Sequence, residues 1–347
     1  MRVWFDSAEA PATAGDRLLA AIAAPLALPL SWLVAAVARR RQGLIPRQAA
    51  DATAPPVVVV GNLVAGGAGK TPLAGAIALG LRQYGFRPGL LAGGYRSAAG
   101  GPRLVEDSSS AAEVGDEALL LAQETGLPLA VGRDRSAAAA LLRHRHPECD
   151  VLVSDDGLQH VGLPRRLEIL VVDERGFGNR RCLPAGPLRE PVRRIASVDA
   201  VVLTSSRAQA PQGAPRLFHS NLHPTGFRRL AGGDQWNLED FVRQFGREPM
   251  TAIAGIARPQ RFFDLLVSLG LRPACHALPD HGRIDPAWLG ALPGRWLLMT
   301  GKDAVRCQDF EAGLRGRCVR LDVAAVPEPA LLKWIATELR PQAHRNG

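Results

Sequence analysis

Lys70 and Thr71 close a glycine-rich stretch, Val64-Ala65-Gly66-Gly67-Ala68-Gly69-Lys70-Thr71, that follows the apolar run Val57-Val58-Val59-Val60. Residue types in this order suit a polyphosphate. Glycines let successive backbone N–H groups curl around anionic oxygens, and a helix beginning near Thr71 turns its positive end toward the same charge. Lys70 would reach the β- and γ-phosphates and the Thr71 hydroxyl a Mg²⁺ ion, so the expected ligand is MgATP. Pro72 fits the first helical turn, where a missing N–H costs nothing. The strict spacing of such loops places a glycine where Val64 stands.

A loop of this kind needs an acidic partner from the end of a neighbouring strand. Two places supply one. Val151-Leu152-Val153-Ser154 runs into Asp155-Asp156-Gly157, and Leu167–Val172 runs into Asp173-Glu174. Adjacent aspartates after a short apolar run suit Mg²⁺ better, although strand-end aspartates also cap helices. Gly115-Asp116-Glu117 opens a helix. Read as residues alone, the pair is equally a helix cap or a site in which Asp116 takes a proton from an acceptor hydroxyl and Glu117 reaches the metal. His281, in Leu278-Pro279-Asp280-His281-Gly282, is on its own an ordinary loop histidine.

Elements must hold these groups. Strands are expected at Val57–Val60, Pro88–Ala92, Pro128–Val131, Val151–Ser154, Leu167–Val172 and Ala200–Thr204. Helices are expected at Leu73–Tyr84, Glu117–Thr125 and Arg135–Arg145. Apolar strands alternating with helices imply a parallel α/β sheet of the P-loop NTPase kind. Ser205–Pro215 reads as a connector. A second, smaller α/β pattern follows, with strands at Thr251–Ile256 and Trp296–Thr300 and helices at Gln260–Leu269 and Leu331–Leu339. The division expected is 1–46 for an N-terminal membrane-associated helical segment, 47–208 for the kinase core, and 209–347 for a smaller C-terminal α/β domain with its linker.

The 347 residues are 47% hydrophobic, enough for a large core, and Lys plus Arg exceed Asp plus Glu by 42 to 33. A net charge of +9 suits a phosphorylated substrate or an anionic membrane. No zinc-finger spacing or aromatic RNA-binding signature accompanies it, which argues against nucleic acid. Five scattered cysteines without C-x-x-C spacing read as reduced thiols. Leu18 to Ala38 holds one polar residue, Ser31, before Arg39-Arg40-Arg41. The run is just long enough to cross a bilayer, yet it is Ala-rich and interrupted by Pro25 and Pro29. An interfacial or shallowly inserted helix is expected, ahead of a core helix or a cleaved signal.

Together these residues resemble one family, the tetraacyldisaccharide 4′-kinases that phosphorylate lipid A precursors in Gram-negative bacteria. The resemblance is carried by Gly61-Asn62 with Gly66-Gly67-Ala68-Gly69-Lys70-Thr71-Pro72, Val114-Gly115-Asp116-Glu117, Val131-Gly132-Arg133-Asp134-Arg135 and Asp155-Asp156-Gly157-Leu158-Gln159-His160. It continues through Arg175-Gly176-Phe177-Gly178-Asn179, Leu183-Pro184-Ala185-Gly186-Pro187-Leu188-Arg189-Glu190-Pro191, Phe262-Phe263, Pro279-Asp280-His281 and Lys302-Asp303-Ala304-Val305.

The resemblance implies ATP-dependent phosphorylation of the 4′-hydroxyl of a tetraacylated glucosamine disaccharide 1-phosphate, giving lipid IVA at the cytoplasmic face of the inner membrane. No obligate protein partner is implied. It further implies that Asp116 is the base, working with His281, and that Thr71, Glu117, Asp155 and Asp156 lie on the metal side. Arg133, Arg135 or Arg175 are candidates to hold phosphate. The family has no glycine at the position of Val64. Its usual Ser-Arg-Gly-Tyr-Gly is here Ala92-Gly93-Gly94-Tyr95-Arg96. It often has a histidine where Gly282 stands and a glutamate where Gly301 stands. The competing readings are a membrane-associated P-loop ATPase switch or partitioning regulator, which usually carries a lysine where Ala65 stands, a GTP-binding protein, and a scaffold with a vestigial loop.

Overall fold

A computed structural model of the chain describes residues 4, 14–48, 54–94, 101–280 and 282–340. The chain enters through α1 (Ala14–Gln42), which runs unbroken through Pro25 and Pro29 and ends on Arg39, Arg40 and Arg41. The prolines therefore do not interrupt it. The Leu and Ala around them are strong helix formers and carry the helix past two missing hydrogen bonds. Among the described residues no helix is long and apolar enough to cross a membrane. One stripe of α1 faces the protein. Ser31 is buried and donates to the Cys182 carbonyl at 2.8 Å, and Val34 and Ala35 pack on the core. The opposite stripe leaves Leu26, Leu30, Leu33 and Val37 in the open, with Trp32 73% exposed.

Valine runs with no polar side must be covered on both faces, and they are. The first half of the chain gives β1 (Val57–Gly61), α2 (Lys70–Gln83), β2 (Pro88–Ala92), β3 (Arg103–Leu104), α3 (Ala111–Val114) and α4 (Asp116–Thr125). It continues with β4 (Leu129–Val131), α5 (Arg135–Arg145), β5 (Val151–Asp155), β6 (Leu167–Val172) and β7 (Ala200–Leu203). Every residue of β1, β2, β4, β5, β6 and β7 is buried. Leu73, Ile77 and Leu81 of α2 cover one face of the sheet, and Ala138 and Leu142 of α5 the other. Each fully buried Leu or Ile stabilises by about 1.5–3 kcal/mol.

The second half gives β8 (Leu217–Arg229), β9 (Gln235–Trp236), α6 (Leu238–Phe245), β10 (Met250–Ala254), α7 (Pro259–Ser268), β11 (Ala274–Ala277) and α8 (Pro286–Ala291). It closes with β12 (Trp296–Thr300), α9 (Gly301–Arg306), α10 (Ala312–Arg315), β13 (Cys318–Pro327) and α11 (Pro329–Leu339). The strands form one hydrogen-bonded path, β11-β10-β12-β13-β8-β7-β6-β1-β5-β2-β4-β3, with β9 beside β8. The long strand β8 stitches the halves together. Leu217–His219 pair parallel with β7, and Ser220–Arg229 run antiparallel to β13 past a bulge at Asp322/Val323. Leu331, Ile335 and Leu339 of the last helix return to the core beneath α2.

Two features of this order position the chemistry. β1 lies between β5 and β6, so the loop leaving it sits where the connections diverge to the two sides, the usual ligand crevice of an open parallel sheet. Parallel register also sets Val60 beside Asp155, which brings the end of β5 alongside the loop.

Candidate active site

Between β1 and α2 the backbone turns through Gly66 (φ 98°) and Gly69 (φ 79°), left-handed conformations that a side chain would resist. Gly69 caps α2 without a side-chain bond, and no acidic residue occupies the first turn. The N–H groups of that turn are therefore left for an anion, with no acidic side chain in the turn to compete. The loop is braced from outside. Ala65 N donates to Pro187 O at 2.8 Å and Arg189 N to Leu63 O at 2.7 Å. The Thr204 hydroxyl donates to Ala68 O at 3.1 Å, and Arg175 Nη2 to Gly67 O at 2.6 Å. Val64 is buried and bridged to Leu188, so its side chain serves the core and only its backbone borders the loop.

Lys70 is 8% exposed. Its Nζ donates to Asn62 Oδ1 at 2.9 Å and lies 3.4 Å from Asp156 Oδ1. A buried ammonium costs stability unless paired, and these contacts hold it at the mouth of the loop. Asp156, itself at φ 50°, takes two bonds from Arg189 Nη1 at 3.0 and 2.9 Å. Burial alone would raise its pKa, but Lys70 and Arg189 outweigh burial and leave it below the ordinary carboxylate value.

Asp155 is different. The Thr71 hydroxyl donates to its Oδ2 at 2.7 Å, whereas its Oδ1 is buried without a hydrogen-bond partner. Burial, with Glu117 and Asp156 nearby, pushes its pKa up to about 6 against the opposing pull of Thr71 and Lys70. A buried carboxylate oxygen with nothing to accept, beside a threonine hydroxyl and under the loop, fits a small hard cation whose other ligands are phosphate oxygens and water. The rival pair, Asp173 and Glu174, is committed to arginines. Asp173 sits 2.9 Å from Arg175 Nε, and Glu174 bonds Arg258 and Arg261. Glu174 Oε2 is also buried without a partner, but Glu174 is held by two arginines whereas Asp155 meets the loop threonine, which favours Asp155-Asp156.

Asp116 and Glu117 begin α4, capped by Gly115 at φ 88°. Both meet cations from α9, in the other half of the chain. Lys302 Nζ bonds Glu117, and Arg306 Nε stands 3.7 Å from Asp116 Oδ2. Burial works against the charge on Lys302, but Glu117, Asp116 and Asp280 overcome it and hold its pKa above the ordinary value. Glu117 is close enough to Asp155 to act on its charge, which brings the start of α4 near the Asp155-Asp156 pair. His281, and Tyr95-Arg96 of the altered segment, lie outside the described residues.

The departures have local explanations. A Cβ on Gly93 would come within 3.1 Å of the Arg135 guanidinium. Arg135, 3% exposed, is spent on backbone, donating to Gly132 O and, at 3.2 Å, to Asp155 O. It supports the strand end from behind, and Arg175 braces the loop in the same way, whereas Arg133 is exposed. A Cβ on Gly282 would meet Pro279 O at 2.9 Å, so a side chain there needs the loop to shift. A Cβ on Gly301 would meet the tip of Leu120 at 3.1 Å and Glu124 Oε1 at 3.7 Å, so a glutamate there would stand beside a second carboxylate.

Reading the sequence alone missed several partners. Asn62, Arg189 and Gln159 fall inside motif blocks but had no role there. Gln159 Nε2 bonds Glu190, which also accepts from Gln42 at the end of α1 at 3.0 Å. Arg306 follows the last motif block and carried no signal at all.

Known proteins resemble this chain in sequence and fold. The profile of a family described as tetraacyldisaccharide-1-P 4′-kinase, LpxK, matches residues 23–340. A tetraacyldisaccharide 4′-kinase from Dechloromonas aromatica (strain RCB) is 43% identical over 315 residues, covering 91% of this chain and 92% of its own. One from Ectopseudomonas mendocina (strain ymp) is 41% identical over 336 residues, covering 94% and 98%. Among solved structures, LpxK from Aquifex aeolicus in complex with ATP superimposes with a TM-score of 0.75 at 26% identity, over 92% of this chain and 99% of that one.

Proposed function

This chain belongs to the tetraacyldisaccharide-1-P 4′-kinase family, and we propose that its own residues carry the transfer of the ATP γ-phosphoryl group to the 4′-hydroxyl of a tetraacyldisaccharide 1-phosphate, giving lipid IVA. The observation that carries the site assignment is the Lys70–Asn62–Asp156 cluster at the mouth of a glycine loop whose helix end is left open to an anion. Relatives bearing the kinase name over most of the chain favour phosphoryl transfer over an ATPase switch.

Of the loop Val64–Thr71, the amides from Gly66 through Thr71 and the Lys70 ammonium would hold the β- and γ-phosphates, while Ala65 N–H is taken by the Pro187 carbonyl. Bound Mg²⁺ would neutralise charge on the transferring group, held by Thr71 and Asp155, with Asp156 and Glu117 in the surrounding shell. Asp116 accepts the proton of the 4′-hydroxyl as its oxygen attacks the γ-phosphorus, and the bond to the bridging oxygen breaks on the opposite side to release ADP. His281 is assigned to work with Asp116. The division at 46 and 208 separates the membrane-facing segment, the nucleotide half and the half that brings Lys302 and Arg306. The exposed apolar stripe of α1, beside the 181–190 loop, would rest in the cytoplasmic face of the inner membrane, with Arg39, Arg40 and Arg41 at the headgroups.

Incubation with γ-labelled ATP and the disaccharide in detergent micelles tests this. Label is expected in the lipid, on the 4′-position. Label appearing only as inorganic phosphate, at the same rate without lipid, contradicts it.

A further inference from the structure

Arg306 is the one guanidinium of α9 that gathers separate stretches of the second half and faces the first. Its Nη1 donates to Gly282 O at 2.8 Å, and its Nη2 to Gly255 O at 3.0 Å and Asp303 Oδ1 at 2.9 Å. Its Nε donates to Lys302 O at 3.2 Å and lies 3.7 Å from Asp116 Oδ2 across the seam. The loop after β10, the segment before α8, and α9 itself thus meet on one planar cation. Gly255 is part of the fit, because a Cβ there would stand 3.1 Å from Arg306 Nη1 and 3.0 Å from Asp303 Oδ1. Asp303 is wholly buried and is itself fixed by Gly255 N at 3.1 Å and the Thr300 hydroxyl at 2.6 Å.

A lysine could supply the charge but not this fork, since a guanidinium offers five donors in a fixed plane. The distance to Asp116 is too long for a hydrogen bond, so the pull on Oδ2 is Coulombic, acting on a carboxylate whose Oδ1 is already held by Glu117 N at 2.9 Å. The same residue holds the backbone of Lys302, whose ammonium sits on Glu117.

We propose that Arg306 is a positioning residue for phosphoryl transfer: it locks the Gly255, Gly282 and α9 segments into one joint and aims Asp116 at the acceptor hydroxyl. The inference rests on Asp116 acting as the base. It places the effect of Arg306 in the chemical step rather than in nucleotide binding, because none of its contacts reaches the glycine loop.

A double-mutant cycle tests it. Arg306→Met, which keeps bulk and removes the fork, and Arg306→Lys are each made in the parent and in Asp116→Ala, and kcat, KM for ATP and Tm are read. In the parent, Arg306→Met is expected to lower kcat on the order of 10²-fold with KM for ATP within about threefold. Arg306→Lys is expected to lose only about tenfold, having the charge without the fork. In Asp116→Ala either change is expected to cost less than about threefold more, since the group it aims is gone. An equal loss in both backgrounds, a loss confined to KM, or no loss in the parent overturns the proposal. If Arg306→Met does not fold, the Arg306→Lys pair decides by the same criterion. Parental activity in Asp116→Ala alone would instead overturn the assignment of the base.

Discussion

The nucleotide side and the acceptor side of this site are built differently. On the nucleotide side the groups come from the first half: the ends of β1 and β5, the first turn of α2, and the segments that follow β5, β6 and β7. Lys70 rests on Asn62 and Asp156, Asp156 on Arg189, Thr71 on Asp155, and the loop backbone on Thr204 and Arg175. On the acceptor side Asp116 and Glu117 come from α4, but the cations facing them come from α9 of the second half. A polyphosphate cradle can be completed by a single sheet, because its ligands are amides and an ammonium fixed by local register. In the function proposed here the base, Asp116, is instead flanked by cations from the other half of the chain. Binding and transfer here should therefore be separable by mutation.

The largest effect expected is from Lys70→Ala, which removes the charge on which the cradle depends. Turnover should fall by more than about 10³-fold and ATP affinity should fall with it, read by calorimetry and labelled-lipid assay. Retained affinity would show that the cradle does not depend on its ammonium and would blur the contrast.

A smaller effect sharpens the acceptor side. Glu124, at the far end of α4, faces Arg228 of β8 and Arg320 and Asp322 of β13 while part of its surface stays open to water. Partial desolvation, with Asp322, raises its pKa from the ordinary 4.5 to about 7 in spite of Arg320 and Arg228. The folded protein therefore holds a proton there that the unfolded chain has released, so stability should fall as pH rises from about 4.5 through 7. Relative to Glu124→Gln, the parent should lose a little stability between pH 5 and pH 8, an effect kept small because water screens an exposed carboxyl, read as Tm or denaturant midpoint against pH. Parallel pH profiles would mean that the carboxyl is not held at the seam as described.

The sequence made the nucleotide side readable and the acceptor side only partly so. Val57–Val60, the glycines and Lys70-Thr71 are consecutive, so local pattern sufficed. Asp155 could be chosen over Asp173 only in part, because the arginines that occupy Asp173 and Glu174 include Arg258 and Arg261, far along the chain. Lys302 and Arg306 reach α4 across nearly two hundred positions, a pairing that no periodicity records. Among the elements, β2, α5, β6 and β12 fall where apolar patterning puts them. The long β8 was invisible, since it carries Pro224 and Gly226 and leaves much of its length exposed. Its partner β13 shares that exposure beyond Leu321, and the short α9 offers no full helical period to detect.

The separability of binding from transfer is tested most directly by titrating MgATP into Asp116→Ala beside the parent and measuring lipid phosphorylation on the same samples. The structure leads us to expect an ATP dissociation constant within about threefold of the parent, with turnover lower by on the order of 10³-fold. Turnover near the parent's, or ATP binding lost together with turnover, would contradict it.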